Sequence, residues 1–305
     1  MNTKTRNSLL LFLTATIWGL AFVAQSVGGR QTGPFTFNGI RTILGGIVLI
    51  PYIMFNDRKY KNNGNNEDKD KASLKTLITG GILCGIILCI AGNFQQMGLI
   101  YTSVGKSGFL TSLYILIVPV IGIFLKKKCP AKIWICILVA IAGLYELCLA
   151  GSSSFSFNKG DLMVMVAAIF FSFHILVIDY FTPKVDGVKM SCIQFFVCGI
   201  ITVILMFVFE KPDPAALATV IVPLLYAGVL SCGVAYTLQI IGQREVEPTV
   251  ACLIMSLESV ISAIGGFLIL GQKMTVNETF GCMLIFGAVV AAQIPSFSNN
   301  KTARG

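Results

Sequence analysis

Long apolar stretches separated by short polar connections dominate the chain. Runs rich in Leu, Ile, Val, Phe, Ala and Gly recur at roughly 8–27, 34–55, 75–97, 104–125, 131–149, 160–180, 188–209, 218–242, 248–270 and 277–295. A helix rising about 1.5 Å per residue needs about 20 residues to cross a hydrocarbon core of about 30 Å. In lipid every backbone polar group must be satisfied internally, so spanning segments are helices or closed barrels. Barrel strands would alternate apolar and polar residues over short stretches, whereas these runs are continuous. The pattern therefore predicts an all-α integral membrane protein with ten transmembrane helices. The clearest connection is 56–74, NDRKYKNNGNNEDKDKASL, which reads as a mobile polar loop. Prolines at 130, 183, 212, 214 and 248 fall in or beside other connections, where a missing N–H costs little.

Composition agrees. Hydrophobic residues make up 55% of the 305 and charged residues only 12%, about half the charge of a soluble domain. The formal charge of +9 does not point to nucleic acid, because the basic residues sit in short connections and act as topology signals. With the N-terminus inside, Lys4, Arg6, the 58–75 connection, Lys126, Lys127, Lys128, Lys132, Lys184, Lys189, Arg244, Lys301 and Arg304 fall on the cytoplasmic side. Only Arg30, Lys106, Lys159, Lys211 and Lys273 fall outside, and Arg41 lies within the second helix. This bias predicts a multi-pass protein of the plasma (inner) membrane with both termini cytoplasmic. Lys4 and Arg6 precede an apolar stretch without a small-x-small cleavage site, so it reads as the first span and not as a signal peptide. The ten cysteines form no C-x-x-C pair, and there is one histidine, so neither a metal site nor a cofactor is expected. No P-loop occurs either, which leaves ATP-driven pumping without support.

The chain also repeats itself. FLTSLY at 109–114 matches LIMSLE at 253–258, and at the same offset Gln95 meets Gln239, Gly98 meets Gly242 and Gly122 meets Gly266. ATIWGLAF from Ala15 matches AAIFFSFH from Ala167. Two halves, 1–150 and 151–305, of five helices each follow. Five is odd, so the second half enters the membrane from the opposite side. Such inverted repeats are typical of transporters that alternate access around a midplane site.

The stretches TIWGLAFV (16–23), QQMGLIYTSVGKSGFLTSLYILIVP (95–119), GDLMVMVAAIFFSFHIL (160–176) and LIMSLESVISAIGGFLILGQK (253–273) carry a resemblance. With the ten-helix plan, the chain resembles EamA-type members of the drug/metabolite transporter superfamily over nearly its whole length. Two departures are Ser259, where many relatives have proline, and Gln272, where many have glutamate. The resemblance implies a secondary transporter, often an exporter of amino acids or other small metabolites.

Ionisable groups at membrane depth are costly and mark function by default. Glu258 lies mid-span in helix nine, where a carboxylate can bind a proton or a cationic substrate group, or brace a neighbouring helix. His174 can switch charge near neutral pH or serve as a bonded core residue. Arg41 can grip a carboxylate with its planar fork, or snorkel to the surface. Trp18 stands away from the interfacial belts that tryptophan favours and can face a substrate or pack in the bundle. Tyr114 matches Glu258 across the repeat, and its hydroxyl needs a partner if buried. Asn93, Gln95, Gln96, Tyr236 and Gln239 can line a polar path or cross-link helices. Pro119 removes a backbone bond within helix four and is the candidate gate hinge. Gln194, at the place in helix seven that Arg41 takes in helix two, makes the halves chemically unequal. Lys106 and Asp179 read as surface-near charges, and Gly45, Gly46, Gly80, Gly81, Gly265 and Gly266 as close helix contacts.

The reading is thus a secondary transporter in a lipid bilayer moving a small organic solute, with a coupled proton as one option. A channel or membrane scaffold is the alternative. An intramembrane enzyme built on His174 or Glu258 lacks any visible nucleophile or metal motif.

Overall fold

The computed structural model describes residues 3–61, 68–102, 104–127, 129–148, 158–270 and 275–294. In chain order the helices are α1 (Thr3–Thr32), α2 (Pro34–Lys61), α3 (Asp68–Tyr101), α4 (Val104–Ser112), α5 (Tyr114–Phe124), α6 (Ala131–Cys148), α7 (Lys159–Phe181), α8 (Gly187–Phe209), α9 (Pro214–Thr219), α10 (Ile221–Leu225), a π-helix (Tyr226–Tyr236), α11 (Thr237–Gly242), α12 (Pro248–Met255), α13 (Leu257–Leu270) and α14 (Val276–Gln293). Among the described residues, nine helical stretches are long and apolar enough to cross a membrane, two of them counted across a one-residue break. The fifth expected stretch is the 18-residue α6, which packs along α14. Phe55, Phe124, Phe207 and Leu268 are among many large apolar side chains left exposed. Surfaces of this kind need lipid, not water. The protein is an all-α membrane protein.

Two expectations need correcting. The 56–74 loop is mostly helical: α2 runs to Lys61 and α3 begins at Asp68, leaving only 62–67 outside the described residues. Lys, Arg and Ala are good helix formers, so the helices continue beyond the apolar runs into their charged flanks. The fourth and ninth stretches are not single helices. The fourth breaks at Leu113, six residues before Pro119, and α5 then continues through Pro119. The ninth breaks at Ser256.

Both breaks have the same local cause. Leu113 (φ −58, ψ −12) and Ser256 (φ −62, ψ −14) share the dihedrals of a tightened turn. Leu116 N–H bonds Leu113 O at 3.0 Å and Ser259 N–H bonds Ser256 O at 3.1 Å, three residues back instead of four. The Ser256 hydroxyl also returns to Leu253 O at 2.8 Å, competing for a helical carbonyl. Both breaks fall in the repeated Ser-Leu pair, displaced by one residue between the halves.

Caps and small residues hold the bundle. Asn158 and Asp161 form a capping box on α7, and Thr275 and Glu278 form one on α14, satisfying orphan donors. At the α1–α2 turn, Gly33 takes φ +94, which favours glycine. There the distant Glu210 carboxylate caps α2 through Phe35 N and Thr36 N at 2.9 and 2.7 Å. The helices of each half pack largely on the other half: α3 along α7, α2 along α8, α6 along α14, and α1 along the π-helix, α11 and α13. Ser8 Oγ donates to Gln293 Oε1 at 3.3 Å, so the start of α1 and the end of α14 meet at one end of the bundle. The 126–130 and 243–248 connections share that end, called the basic end below.

The α6–α14 seam has no room for a methyl group. A Cβ at Gly281 would stand 2.5 Å from both Gly143 O and Leu147 N. Gly281→Ala is therefore expected to cost about 1–3 kcal/mol through overpacking, read as a lowered Tm of the purified protein. An unchanged Tm would mean the two helices are not in this contact.

Candidate functional site

The two broken stretches meet at the centre of the bundle. Tyr114, first residue of α5, donates its hydroxyl to Glu258 Oε1 at 3.1 Å. Beside them the Ser112 and Ser259 hydroxyls lie 3.1 Å apart. Glu258 follows the break by two residues, in the first turn of α13. Glu258 and Tyr114 are both 3% exposed, so the carboxylate is held away from bulk water at mid-bundle.

A cavity surrounds this pair. Trp18, Phe22 and Gln25 of α1, Arg41 of α2, Gln95 of α3, Thr111 of α4 and Tyr114 form one part of its wall. Phe171, His174 and Ile175 of α7, Ser231 and Tyr236 of the π-helix, Gln239 of α11, Met255 of α12 and Glu258 complete it. Its free volume is about 40 Å³. That holds water, which needs about 10–15 Å³, but not a metabolite, whose sites run to about 300–1,000 Å³.

Each polar wall residue is held differently. Arg41 Nε donates to Asn38 Oδ1 at 3.0 Å, Asn38 Nδ2 to Asn93 Oδ1 at 2.8 Å, and Asn93 Nδ2 to Thr202 Oγ1 at 2.9 Å. This chain ties α2, α3 and α8 together and fixes the guanidinium. Arg41 and Glu258 line the same cavity but form no ion pair with each other. His174 Nε2 lies 3.0 Å from Gln194 Oε1 and donates to it. Tyr236 lies 4.6 Å from Trp18 with the rings tilted by 58°, and His174 and Phe195 stand edge-on to it at 6.0 and 5.7 Å. The Trp18 indole N–H reaches Ser231 O at 3.4 Å. Gln95 donates to Thr111 at 3.1 Å. The side-chain oxygens of Gln25 and Gln239 are buried without a partner, although buried polar atoms are nearly always bonded.

The expected residues Trp18, Arg41, Gln95, Tyr114, His174, Tyr236, Gln239 and Glu258 thus come together. Asn93 and Gln96 do not line the cavity. Asn93 sits behind Arg41, and Gln96 donates to Gln25 O at 2.9 Å, turned toward the adjacent helix and away from the cavity. Pro119 lines a separate vestibule toward the basic end. Among residues not anticipated, Gln25 carried a readable signal: it lies seven residues after Trp18, on the same helix face. Phe22, Phe171, Ile175 and Met255 have no pattern that separates a cavity wall from a core. Nine cysteines among the described residues are free thiols, most of them buried.

A bundle of lipid-facing helices around a buried cavity lined by both charged and aromatic side chains defines a polytopic membrane protein. The EamA-like transporter family matches residues 6–148 and 158–292. The chain belongs to that family and is a membrane transporter. It is 27% identical over 285 residues to an uncharacterized transporter of Archaeoglobus fulgidus, covering 93% of this chain and 84% of that protein. It is 24% identical over 275 residues to the uncharacterized transporter YoaV of Bacillus subtilis, covering 88% and 90%. A solved crystal structure superposes with a TM-score of 0.72 at 18% identity, over 95% of this chain and 96% of the other, a likeness of fold.

Proposed function

We propose that the protein is a secondary transporter that exports amino acids or other small metabolites by alternating access, with the Arg41–Glu258 cavity as its solute site. The observation that carries this reading is one guanidinium and one carboxylate, unpaired with each other, on the wall of one buried cavity. At about 40 Å³ the cavity is in a closed state; once it opens, a zwitterion would place its carboxylate on the Arg41 fork and its ammonium on Glu258, with Trp18 and Tyr236 against its side chain. The unpartnered oxygens of Gln25 and Gln239 add acceptors. Glu258 is also the candidate carrier of a coupled proton.

The architecture in this proposal is ten spans in two inverted sets of five, 1–150 and 151–305. Support comes from the two stretches matched by the family and from the matching breaks at Leu113 and Ser256. The meeting of α1 and α14 at one end suits an even number of crossings, with α6 as the fifth span. Exchanging the halves turns the α3–α7 contact into that of α1 with the Ile221–Gly242 helix, and both occur. By the positive-inside rule the basic end is cytoplasmic, in the plasma (inner) membrane.

The test is a counterflow screen of amino acids and related metabolites on reconstituted full-length protein. Saturable exchange of a zwitterion is expected. Non-saturating flux of ions or solutes would favour a channel, and no flux of any candidate would overturn the reading.

A further inference from the structure

A second cavity of about 600 Å³ opens at the basic end, next to the central one. The same helix faces line both. Tyr114, Ile175 and Gln239 border the central cavity, and four residues on, Val118, Asp179 and Gln243 border the vestibule. Residues four apart stand just over one helical turn, a rise of about 6 Å, from each other. The partition on three helices is therefore a single turn thick.

Two groups fill that turn. Val118 is 1% exposed and plugs it from α5. Gln243, following α11, donates from Nε2 to Ile175 O at 3.2 Å, joining that helix end to α7 across the partition. A carbonyl has two lone pairs, so Ile175 O can accept this bond besides its helical one. Gln243 is 2% exposed, and its Oε1 has no partner. A buried amide with half its capacity unmet is a poor permanent brace but suits a bond that is exchanged for water or solute.

The clamps between the fourth stretch and α7 are unequal. Far from the basic end, Lys106 Nζ meets Asp161 Oδ2 at 2.6 Å, with side chains 15% and 0% exposed. Asp161 also accepts from Thr102 at 2.6 Å and closes the α7 capping box. At the basic end Lys127 pairs with Asp179, with side chains 47% and 22% exposed. Exposed pairs hold weakly.

We infer that the Val118–Gln243 layer is the inner gate of the transporter: the Gln243–Ile175 bond closes it, the Lys127–Asp179 pair latches its rim, and the Lys106–Asp161 end stays fixed as the pivot. This rests on the alternating-access reading above. The test uses full-length protein in sealed vesicles, with Ser231→Cys as a probe in the central cavity and a membrane-impermeant maleimide added on the vestibule side. Labelling is read by peptide mass spectrometry. Gln243→Ala is expected to speed modification at position 231 at least about tenfold. Cys129, already in the vestibule, serves as the reference whose rate stays constant. Burial and Glu247 push its thiol up from the ordinary range, so both rates are taken at mildly alkaline pH. Val118→Ala is the second variant, with the same expected direction, should the first fail to fold. An unchanged rate at position 231 in the folded variants overturns the gate, even where counterflow is robust. A raised rate without counterflow of any solute keeps the gate and removes the transport reading.

Discussion

Glu258→Gln is expected to lower transport by about tenfold to a hundredfold without unfolding the protein. The amide matches the carboxylate in shape, and its oxygen can still accept from Tyr114, which bonds Glu258 Oε1 at 3.1 Å. What disappears is the negative charge. A hydrogen bond to a charged group contributes about 1.5–3 kcal/mol, and about 1.4 kcal/mol is a factor of ten. Solutes carrying an ammonium should lose most. If Glu258 also carries a coupled proton, the variant's residual transport should no longer depend on a pH gradient. Wild-type pH dependence in Glu258→Gln would remove the proton role, and wild-type rates would remove the binding role as well.

The second large effect is expected at Arg41. Arg41→Ala removes the only guanidinium among the described residues of the cavity wall and leaves Asn38 Oδ1 without its 3.0 Å donor. Breaking a buried charged contact costs about 2–5 kcal/mol, so transport of a carboxylate-bearing solute should fall at least about thirtyfold. A decarboxylated amine analogue should be affected far less, because it never used the fork. Arg41→Lys keeps the charge but cannot reproduce a bidentate grip, and should recover only part of the loss. Equal losses for the acid and the amine would mean that Arg41 braces the bundle and does not read the solute.

Much of this architecture was legible in the sequence because lipid leaves few choices. Apolar runs of spanning length must be helices, and the matched stretches FLTSLY and LIMSLE contain the two helix breaks. Tyr114 and Glu258 stood out as polar residues matched across the repeat, and they touch. The breaks one or two residues before them were not readable, since neither Leu113 nor Ser256 is a helix breaker and the visible breaker, Pro119, lies inside an assigned helix. The helical 56–61 and 68–74 segments were hidden by their charge, which marks exposure to water and says little about backbone conformation. Asn93 shows the limit on side chains. It was visible as a buried amide, but whether such a group meets solute or a second helix depends on neighbours more than fifty residues away, here Asn38 and Thr202. Gln243 was passed over because it sits at a helix end, where polar residues are ordinary.

The most direct test of the central cavity as the solute site is counterflow in proteoliposomes, comparing the wild-type chain with Glu258→Gln and Arg41→Ala for one zwitterionic solute. Saturable counterflow in the wild type, strongly reduced in both variants at equal amounts of folded protein, is the predicted result. Wild-type counterflow in both variants would contradict it.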